Sequence, residues 1–319
     1  MRRRLSAAFQ MRNAALDDIP AVAAVARASD LEDIGEPEMF EDWLYDDWVR
    51  PRFDPSTNAW VVTEQGGDIV AFAYTWDEEP DRLFDSTGYV HPAYRGLGIG
   101  TVLVDEVERR ALRDRASLPE DTRVRVLQSF DEDASGRRDP RASGARALFE
   151  RLGYAPEKEY LHMEIEVADG FSAGEPPRGI VVRPRIEADD REIVAVMADG
   201  FDDPWDHEEA REEWRRSRVH DPSLWHVAFA DGEMVGALFG YAANERGQVS
   251  AIAVRDGWRR RGIAQAMMRA AFVSFRDRGL PNVRLNVDRA NAFGATHLYE
   301  RVGMHLRRSW VVMAKTLDV

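Results

Sequence analysis

The sequence predicts a mixed α/β fold, α+β in its element order, built twice: two domains joined by a short linker. Three observations carry this. The segment "VHPAYRGLGIGTVLVDEVERRALRDR" from Val90 matches "VRDGWRRRGIAQAMMRAAFVSFRDRG" from Val254: a strand end, a turn with an aromatic and an arginine, then an amphipathic helix. Further on, "GARALFERLGY" (Gly144–Tyr154) matches "GATHLYERVGM" (Gly294–Met304) in the same order. Between the copies, "VADGFSAGEPPRG" (Val167–Gly179) gathers Gly, Pro and Ser without apolar periodicity, the composition of a connector. Two ordered matches in each half mark a duplication. The domains then run over 9–167 and 179–319, with the linker at 168–178.

Taken in order, "FQMRNAALDDIPAVAAVARAS" opens the first half as strand, turn and amphipathic helix, and "IVVRPRIEADDREIVAVMADGF" does the same for the second. A second helix and two or three strands in a meander follow. In the second half the meander is "WHVAFA", "EMVGALFGYAA" and "QVSAIAVR", with the Asp-Gly of "ADGE" as a hairpin turn. The arginine–glycine turn and its helix come next. Then come a strand at Asn282–Val287, a helix from about Ala292 to Val302, and a last strand in "RRSWVVMAKTL". "YLHMEIEV" closes the first half in the same role.

Composition narrows the function. A chain of 319 residues with 44% hydrophobic content and nine Trp has ample material for two packed cores. A formal charge of −14 argues against a general nucleic-acid binder and suits a cationic substrate only weakly, since solubility explains acidity equally well. With no Cys there is no disulfide framework, thiolate metal site or cysteine nucleophile. His220 and His226 do not have a metal-ligand spacing, so no metal is expected. No phosphate loop or serine nucleophile elbow is present. The start "MRRRLSAAFQMRN" lacks the apolar stretch of a signal peptide, and no run approaches the roughly 20 apolar residues of a membrane span. The expectation is a cytoplasmic protein without membrane or nucleic-acid partners.

The chemistry concentrates in "GWRRRGIA", Gly257–Ala264. A helix N-terminus presents backbone N–H groups without intrahelical partners at the positive end of the peptide dipoles, so a strand-to-helix turn favours an anion. Gly262 allows close backbone approach and Ala264 keeps the helix start uncrowded. Arg259, Arg260 and Arg261 add charge-assisted donors suited to phosphate oxygens. The anion inferred is a pyrophosphate, as in a nucleotide or coenzyme A; the competing reading is an arginine-rich solvated turn. A dinucleotide fingerprint is set aside, because it requires an acidic residue about 20 positions on and lacks a preceding meander.

Arg259-x-x-Gly262-x-Ala264 after an apolar strand, and Arg95-x-x-Gly98-x-Gly100 in the first half, resemble the acetyl-CoA motif of the GNAT superfamily of N-acetyltransferases. "NAFGATHLYERVGM" is similar to that superfamily's second motif, with Asn291 and Tyr299 at its functional positions. The resemblance covers both halves and implies a duplicated GNAT-like acyl-CoA-binding fold. It implies acetyl-CoA as acyl donor, a primary amine of a small molecule or peptide as acceptor, and direct attack of the amine on the thioester in a ternary complex. A backbone N–H of Ala253 or Val254 then stabilises the carbonyl oxygen. The pyrophosphate lies on the backbone of Arg260, Arg261, Gly262, Ile263 and Ala264, with the arginine side chains outside it. Tyr299 protonates the leaving sulfur. Asn291 bonds the pantetheine arm or serves as a helix N-cap.

The first half keeps Val90, Arg95, Gly96, Gly98, Ile99 and Gly100 for the same coenzyme role, but Phe149 replaces Tyr299 and Arg141 replaces Asn291. It is therefore expected to be catalytically impaired, unless water protonates the sulfur. No general base is assigned; Glu245 and Asp288 are the nearest acids in sequence. The acidic run with Asp199, Asp202, Asp203, Asp206, Glu208, Glu209 and Trp205 reads either as a cation-recognising loop or as the acidic first turn of an exposed helix. Because mycothiol synthases are tandem members of the superfamily of similar size, a mycothiol-synthase-like acetyltransferase is one alternative reading. The rival from another class is a non-catalytic acyl-CoA-binding scaffold.

Overall fold

The computed structural model describes residues 4–79, 82–113, 119, 122–133, 143–201, 216–290 and 295–317. These fall into two compact units, Met1–Glu159 with Ser309–Val319 and Tyr160–Arg308. The first half of the chain supplies β1 (Phe9–Asn13), α1 (Ile19–Asp33), α2 (Glu41–Val49), a helical turn α3 (Pro55–Asn58), β2 (Ala59–Glu64), β3 (Ile69–Glu79), β4 (Leu83–Val90), α4 (Ile99–Ala111), β5 (Val124–Asp133), α5 (Ser143–Arg151) and β6 (Ala155–Glu166). The second supplies β7 (Ile180–Pro184), α6 (Asp190–Phe201), β8 (His226–Ala230), β9 (Glu233–Ala243), β10 (Arg246–Val254), α7 (Ile263–Asp277), β11 (Asn282–Asp288), α8 (Ala295–Arg301) and β12 (His305–Leu317).

Each unit has an antiparallel meander whose last strand turns parallel to the next: β1-β2-β3-β4 then β5, and β7-β8-β9-β10 then β11. The meander after the helices thus has three strands in both halves. The second helix expected in the second half falls on 202–215, outside the described residues. The Asp-Gly hairpin is present, with Asp231 and Gly232 both left-handed (φ 50° and 85°) between β8 and β9.

Both faces of the unit 1 sheet are buried. Alternation along β2 and β3 sends Trp60, Val62, Ala71 and Ala73 toward α4, and Ala59, Val61, Phe72 and Tyr74 toward α1 and α2. In unit 2, Val227, Ala237 and Ala253 pack with α6, while Ala228, Leu238 and Val249 pack with α7.

The units do not follow the sequence halves at their last strands. Unit 2 is closed by β6, antiparallel to β11 from Tyr160↔Asp288 to Glu166↔Asn282. In unit 1, β12 lies beside β5, and Val311, Met313 and Leu317 join the core of Val126 and Phe149. Each half therefore donates its final strand to the other unit.

The side chains beneath these strands are chemically matched. In unit 1, Lys315 Nζ on β12 donates to both carboxylate oxygens of Glu108 at 2.8 and 3.0 Å and lies 5.5 Å from the Tyr154 ring centroid. The equivalent positions of unit 2 are apolar. Phe272 stands where Glu108 stands relative to the N-cap glycine, Met304 replaces Tyr154, and Ile165 fills the place of Lys315. The last equivalence is geometric: Lys315 approaches Gly153 as Ile165 approaches Gly303. Were each half to keep its own strand, an ammonium would be buried against Phe272 and Met304, and Glu108 would face isoleucine. An unpaired buried charge costs several kcal/mol, so the side chains favour the exchange.

Segment 168–178 is irregular but not a loose tether. Arg269 donates to the carbonyls of Ala173 (2.9 Å) and Ser172 (2.6 Å), and Arg276 to those of Asp169 (3.1 Å) and Phe171 (2.7 Å). Phe171 packs edge-on to Phe272 at 5.9 Å. Two arginines on one face of α7 thus strap the segment along that helix.

Two predictions follow from this packing. Removing one partner of the Lys315–Glu108 pair (side chains 25% and 19% exposed) is expected to cost on the order of 2 kcal/mol, between an exposed and a buried pair. In chemical denaturation Lys315→Met should lower stability by that amount, and adding Glu108→Phe should restore at least half. A single variant within about 0.5 kcal/mol of the parent would show that the pair does not hold the strand. The second concerns His226, which contacts Leu224 O and Ser274 Oγ and whose burial pushes its pKa down to about 4. The unfolded chain takes up this proton near pH 6.5 and the folded chain only near 4, so stability is lost as pH falls through that window. Relative to His226→Gln, the parent should lose about 3 kcal/mol between pH 7 and 4; parallel profiles would refute the assignment.

Candidate active site

The site in unit 2 begins where two strands part. β10 pairs in parallel with β11 over Gly247–Val249 and Val283–Leu285. Its antiparallel ladder with β9 continues to Val254, with a register shift between Val249 and Ala251 that leaves Ser250 in a bulge. Beyond the bulge, one side of β10 remains paired to β9 while the other faces the gap toward β11. Peptide groups alternate along a strand. Arg255 N–H donates to Val235 O on β9 at 3.0 Å, so the Val254 N–H points away from β9 into the gap and the Ala253 N–H does not. Of the two donors expected from sequence, the geometry selects Val254. Unit 1 repeats this: β4 pairs with β5 at Leu83–Phe84, and His91 N–H donates to Val70 O at 2.9 Å, which turns the Val90 N–H toward the gap.

The chain then turns into a helix whose start is open. Gly262, the N-cap of α7, has φ 81°, and Gly98, the N-cap of α4, has φ 83°. The first helical bonds run from Ala266 to Gly262 and from Val102 to Gly98, so the N–H groups of Ile263 and Ala264, like those of Ile99 and Gly100, lack intrahelical partners. Arg260 is also left-handed (φ 62°) where unit 1 has Gly96 (φ 79°). A side chain held there costs about 1–2 kcal/mol, so the turn keeps its shape against local preference.

The three arginines divide their work differently from the sequence expectation. Arg259 does not face outward. Its Nε donates to Val254 O at 3.0 Å, and its guanidinium reaches Gly200 O at 3.3 Å and Asp256 at 2.6 Å. Arg95 is tied back in the same way, with Nε 3.3 Å from Val90 O and two bonds to Asp33 at 2.6 and 2.7 Å. Arg260 and Arg261 are exposed, and Arg261 lies 4.6 Å from the Trp258 ring centroid. Of the three arginines, these two are left as side-chain donors for an anion.

Tyr299, on α8, is 7% exposed, and burial pushes its phenol pKa up to about 12. Its hydroxyl has no hydrogen-bond partner among the described residues. The phenol is therefore a protonated donor throughout the physiological range. Phe149, its counterpart, is packed against Phe130 and Tyr154 at 6.0 and 5.7 Å. Asn291 and Arg141 lie outside the described residues. Asp288 accepts from Ala290 N–H at 2.8 Å and caps a turn, while Glu245 sits left-handed (φ 60°) in the β9–β10 hairpin. Asp199 is ion-paired with Arg255 at 2.9 Å, which removes it from the acidic run; the run's other residues are not among those described. Among the described residues no helix is long and apolar enough to cross a membrane, and no group of three His, Cys, Asp or Glu stands ready for a metal. Sequence reasoning missed Gly200, whose carbonyl Arg259 reaches, and Arg255, the partner of Asp199; nothing local in the sequence links them.

The twin glycines differ in one respect. A Cβ on Gly262 would stand 3.3 Å from Pro177 Cγ of the strap, whereas one on Gly98 would meet nothing within 4 Å. Both Gly→Ala variants should lose about 1–2 kcal/mol for a left-handed alanine, with Gly262→Ala the more destabilised in thermal unfolding. Equal losses would mean that the strap does not press on the turn.

The Acetyltransferase (GNAT) family model matches residues 22–125 and 191–304. A mycothiol acetyltransferase of Saccharomonospora viridis is 27% identical over 311 residues, covering 90% of this chain and 91% of that protein. One from Streptomyces scabiei is 28% identical over 252 residues, covering 76% and 75%. Among solved structures, a GCN5-related N-acetyltransferase from Sphaerobacter thermophilus superposes with a TM-score of 0.81 at 29% identity, covering 99% of both chains. A tandem GNAT protein from the clavulanic acid biosynthesis pathway shares the fold, with a TM-score of 0.73 at 15% identity over 98% of this chain and 99% of that one.

Proposed function

We propose, for a chain that belongs to the GNAT acetyltransferase family, that acetyl transfer from acetyl-CoA to a primary amine is carried out by unit 2. What supports this reading is that unit 2 carries three features together: an open helix start at Gly262, a Val254 N–H that faces the gap, and a protonated Tyr299 hydroxyl without a hydrogen-bond partner among the described residues.

In this reading the backbone N–H groups at the start of α7 hold the pyrophosphate, and Arg260 and Arg261 add charge outside it. Val254 N–H donates to the thioester oxygen as negative charge develops there. The amine nitrogen bonds to the acetyl carbon, the carbon–sulfur bond breaks, and Tyr299 gives its proton to the departing sulfur. The nitrogen's surplus proton passes to solvent; the Asp288 carboxylate accepts from Ala290 N–H, and Glu245 lies in the β9–β10 hairpin. The likeness to mycothiol acetyltransferases over most of the chain favours a small-molecule amine over a peptide as acceptor. Unit 1 keeps the open turn, but Phe149 offers no proton, so it serves as an impaired copy.

The test is Tyr299→Phe, assayed as coenzyme A release over a panel of small amines. Losing a general acid is expected to lower kcat by about 10²–10⁴, while calorimetric affinity for acetyl-CoA stays within about threefold, or 0.7 kcal/mol. Unchanged turnover would remove Tyr299 from the mechanism.

A further inference from the structure

The structure assigns Arg259 and Arg255 a task other than holding phosphate. We infer that they are positioning residues, a clasp that fixes the C-terminal turn of α6 onto the end of β10, where the proposed coenzyme turn begins. This rests on the coenzyme site proposed above.

Four observations converge. Arg259 Nε bonds the carbonyl of Val254, the residue whose N–H faces the gap, and so fixes the orientation of that strand end. Its Nη2 reaches Gly200 O, one of the last carbonyls of α6, where a cation also suits the negative end of the helix dipole. Arg255 makes a second tie, with Nε to Met234 O at 3.0 Å and Nη1 to Asp199 at 2.9 Å. Finally, a Cβ on Gly200 would overlap the Ala253 methyl, so glycine lets the helix backbone rest directly on β10. Instead of leaving its donors to the turn's open side, Arg259 places Nε and Nη2 on main-chain carbonyls of β10 and α6 and Nη1 on Asp256.

Unit 1 provides an internal control. Arg95 bonds Val90 O in the same way but takes α1 by side chains, Asp33 and Ser29, in the helix's last turns. The partners differ while the connection persists, from the coenzyme turn to the end of the first helix.

The experiment is hydrogen exchange with and without acetyl-CoA, alongside calorimetric affinity, on the full chain. In the parent, acetyl-CoA should slow exchange both in the turn 255–264 and in the last turn of α6. Asp199→Ala cuts one tie while leaving every arginine in place, and its exposed side chain makes loss of folding no concern. It should keep acetyl-CoA affinity within about twofold (~0.4 kcal/mol) but lose most of the slowing in α6. Arg259→Met should lose that slowing more completely and weaken acetyl-CoA less than Arg260→Glu with Arg261→Glu, which should weaken it at least tenfold (~1.4 kcal/mol). If Arg259→Met weakens acetyl-CoA as much as that double variant while Asp199→Ala leaves α6 protected, the clasp is wrong and Arg259 is a phosphate ligand. If the parent does not bind acetyl-CoA, or the double reversal leaves its affinity unchanged, the coenzyme site itself fails, and the clasp with it.

Discussion

The candidate site exists because β10 stops pairing with β11 while it is still pairing with β9. An interior strand with one unpaired edge is costly, since every backbone donor and acceptor needs a partner. Here the cost is confined to a few residues past the Ser250 bulge and leaves a slot lined by main-chain groups. The parting needs β11 to be held from its other side, and β6 does that along the whole of β11. It also needs the free end of β10 to be held in place, which Arg259 achieves through the carbonyl of Val254. The open helix start then follows directly from the turn, because the chain leaves the strand at Val254 and enters α7 at Ile263 through two left-handed residues.

The duplication separates what the fold requires from what the chemistry requires. Both units keep the parted strands, the left-handed N-cap glycine and an arginine tied to the last strand carbonyl. They differ where an anion or a proton would be handled. Gly96 and Leu97 stand opposite Arg260 and Arg261, and Phe149 opposite Tyr299. Arg260 occupies a backbone conformation that glycine takes freely, and unit 1 has glycine there. A charge has been kept in unit 2 at the expense of local comfort, as expected where the site rather than the fold selects the residue.

Much of this was legible in the sequence, for a definite reason. Element order, the Asp-Gly hairpin, the glycine turns and the Tyr299/Phe149 contrast all rest on periodicity or on short motifs, which are local. What could not be read is non-local. The partners of Arg259 come from α6 as well as from its own turn, so an arginine beside a glycine turn looked like an anion ligand when its donors were already committed. The strap escaped because its polar groups are satisfied by Arg269 and Arg276, far along the chain, and its own composition shows only the lack of periodicity. The exchange of last strands escaped because each carries an alternating apolar face, Leu161, Met163 and Ile165 in one and Val311, Met313 and Leu317 in the other. The difference lies in single residues, Lys315 against Ile165, whose meaning appears only beside Glu108 or Phe272.

That exchange constrains how the chain can fold. A repeat that closed its own sheet would need only contacts from its own half. Here unit 1 takes in Ser309–Val319, and unit 2 begins at Tyr160, before the strap. The pairing of β12 with β5 joins residues separated by most of the second half, a loop whose closure entropy is met late and offset only once both cores can form. Until Lys315 arrives, Glu108 and Tyr154 lie beneath an incomplete sheet, and β6, with Ile165 where β12 has Lys315, is the competing strand nearest in sequence. A carboxylate that tolerates an ammonium but not an isoleucine makes the wrong closure the weaker one. The polar cluster in unit 1 is thus better understood as a means of choosing between two similar strands than as a source of net stability, which a hydrocarbon core like that of unit 2 supplies as well.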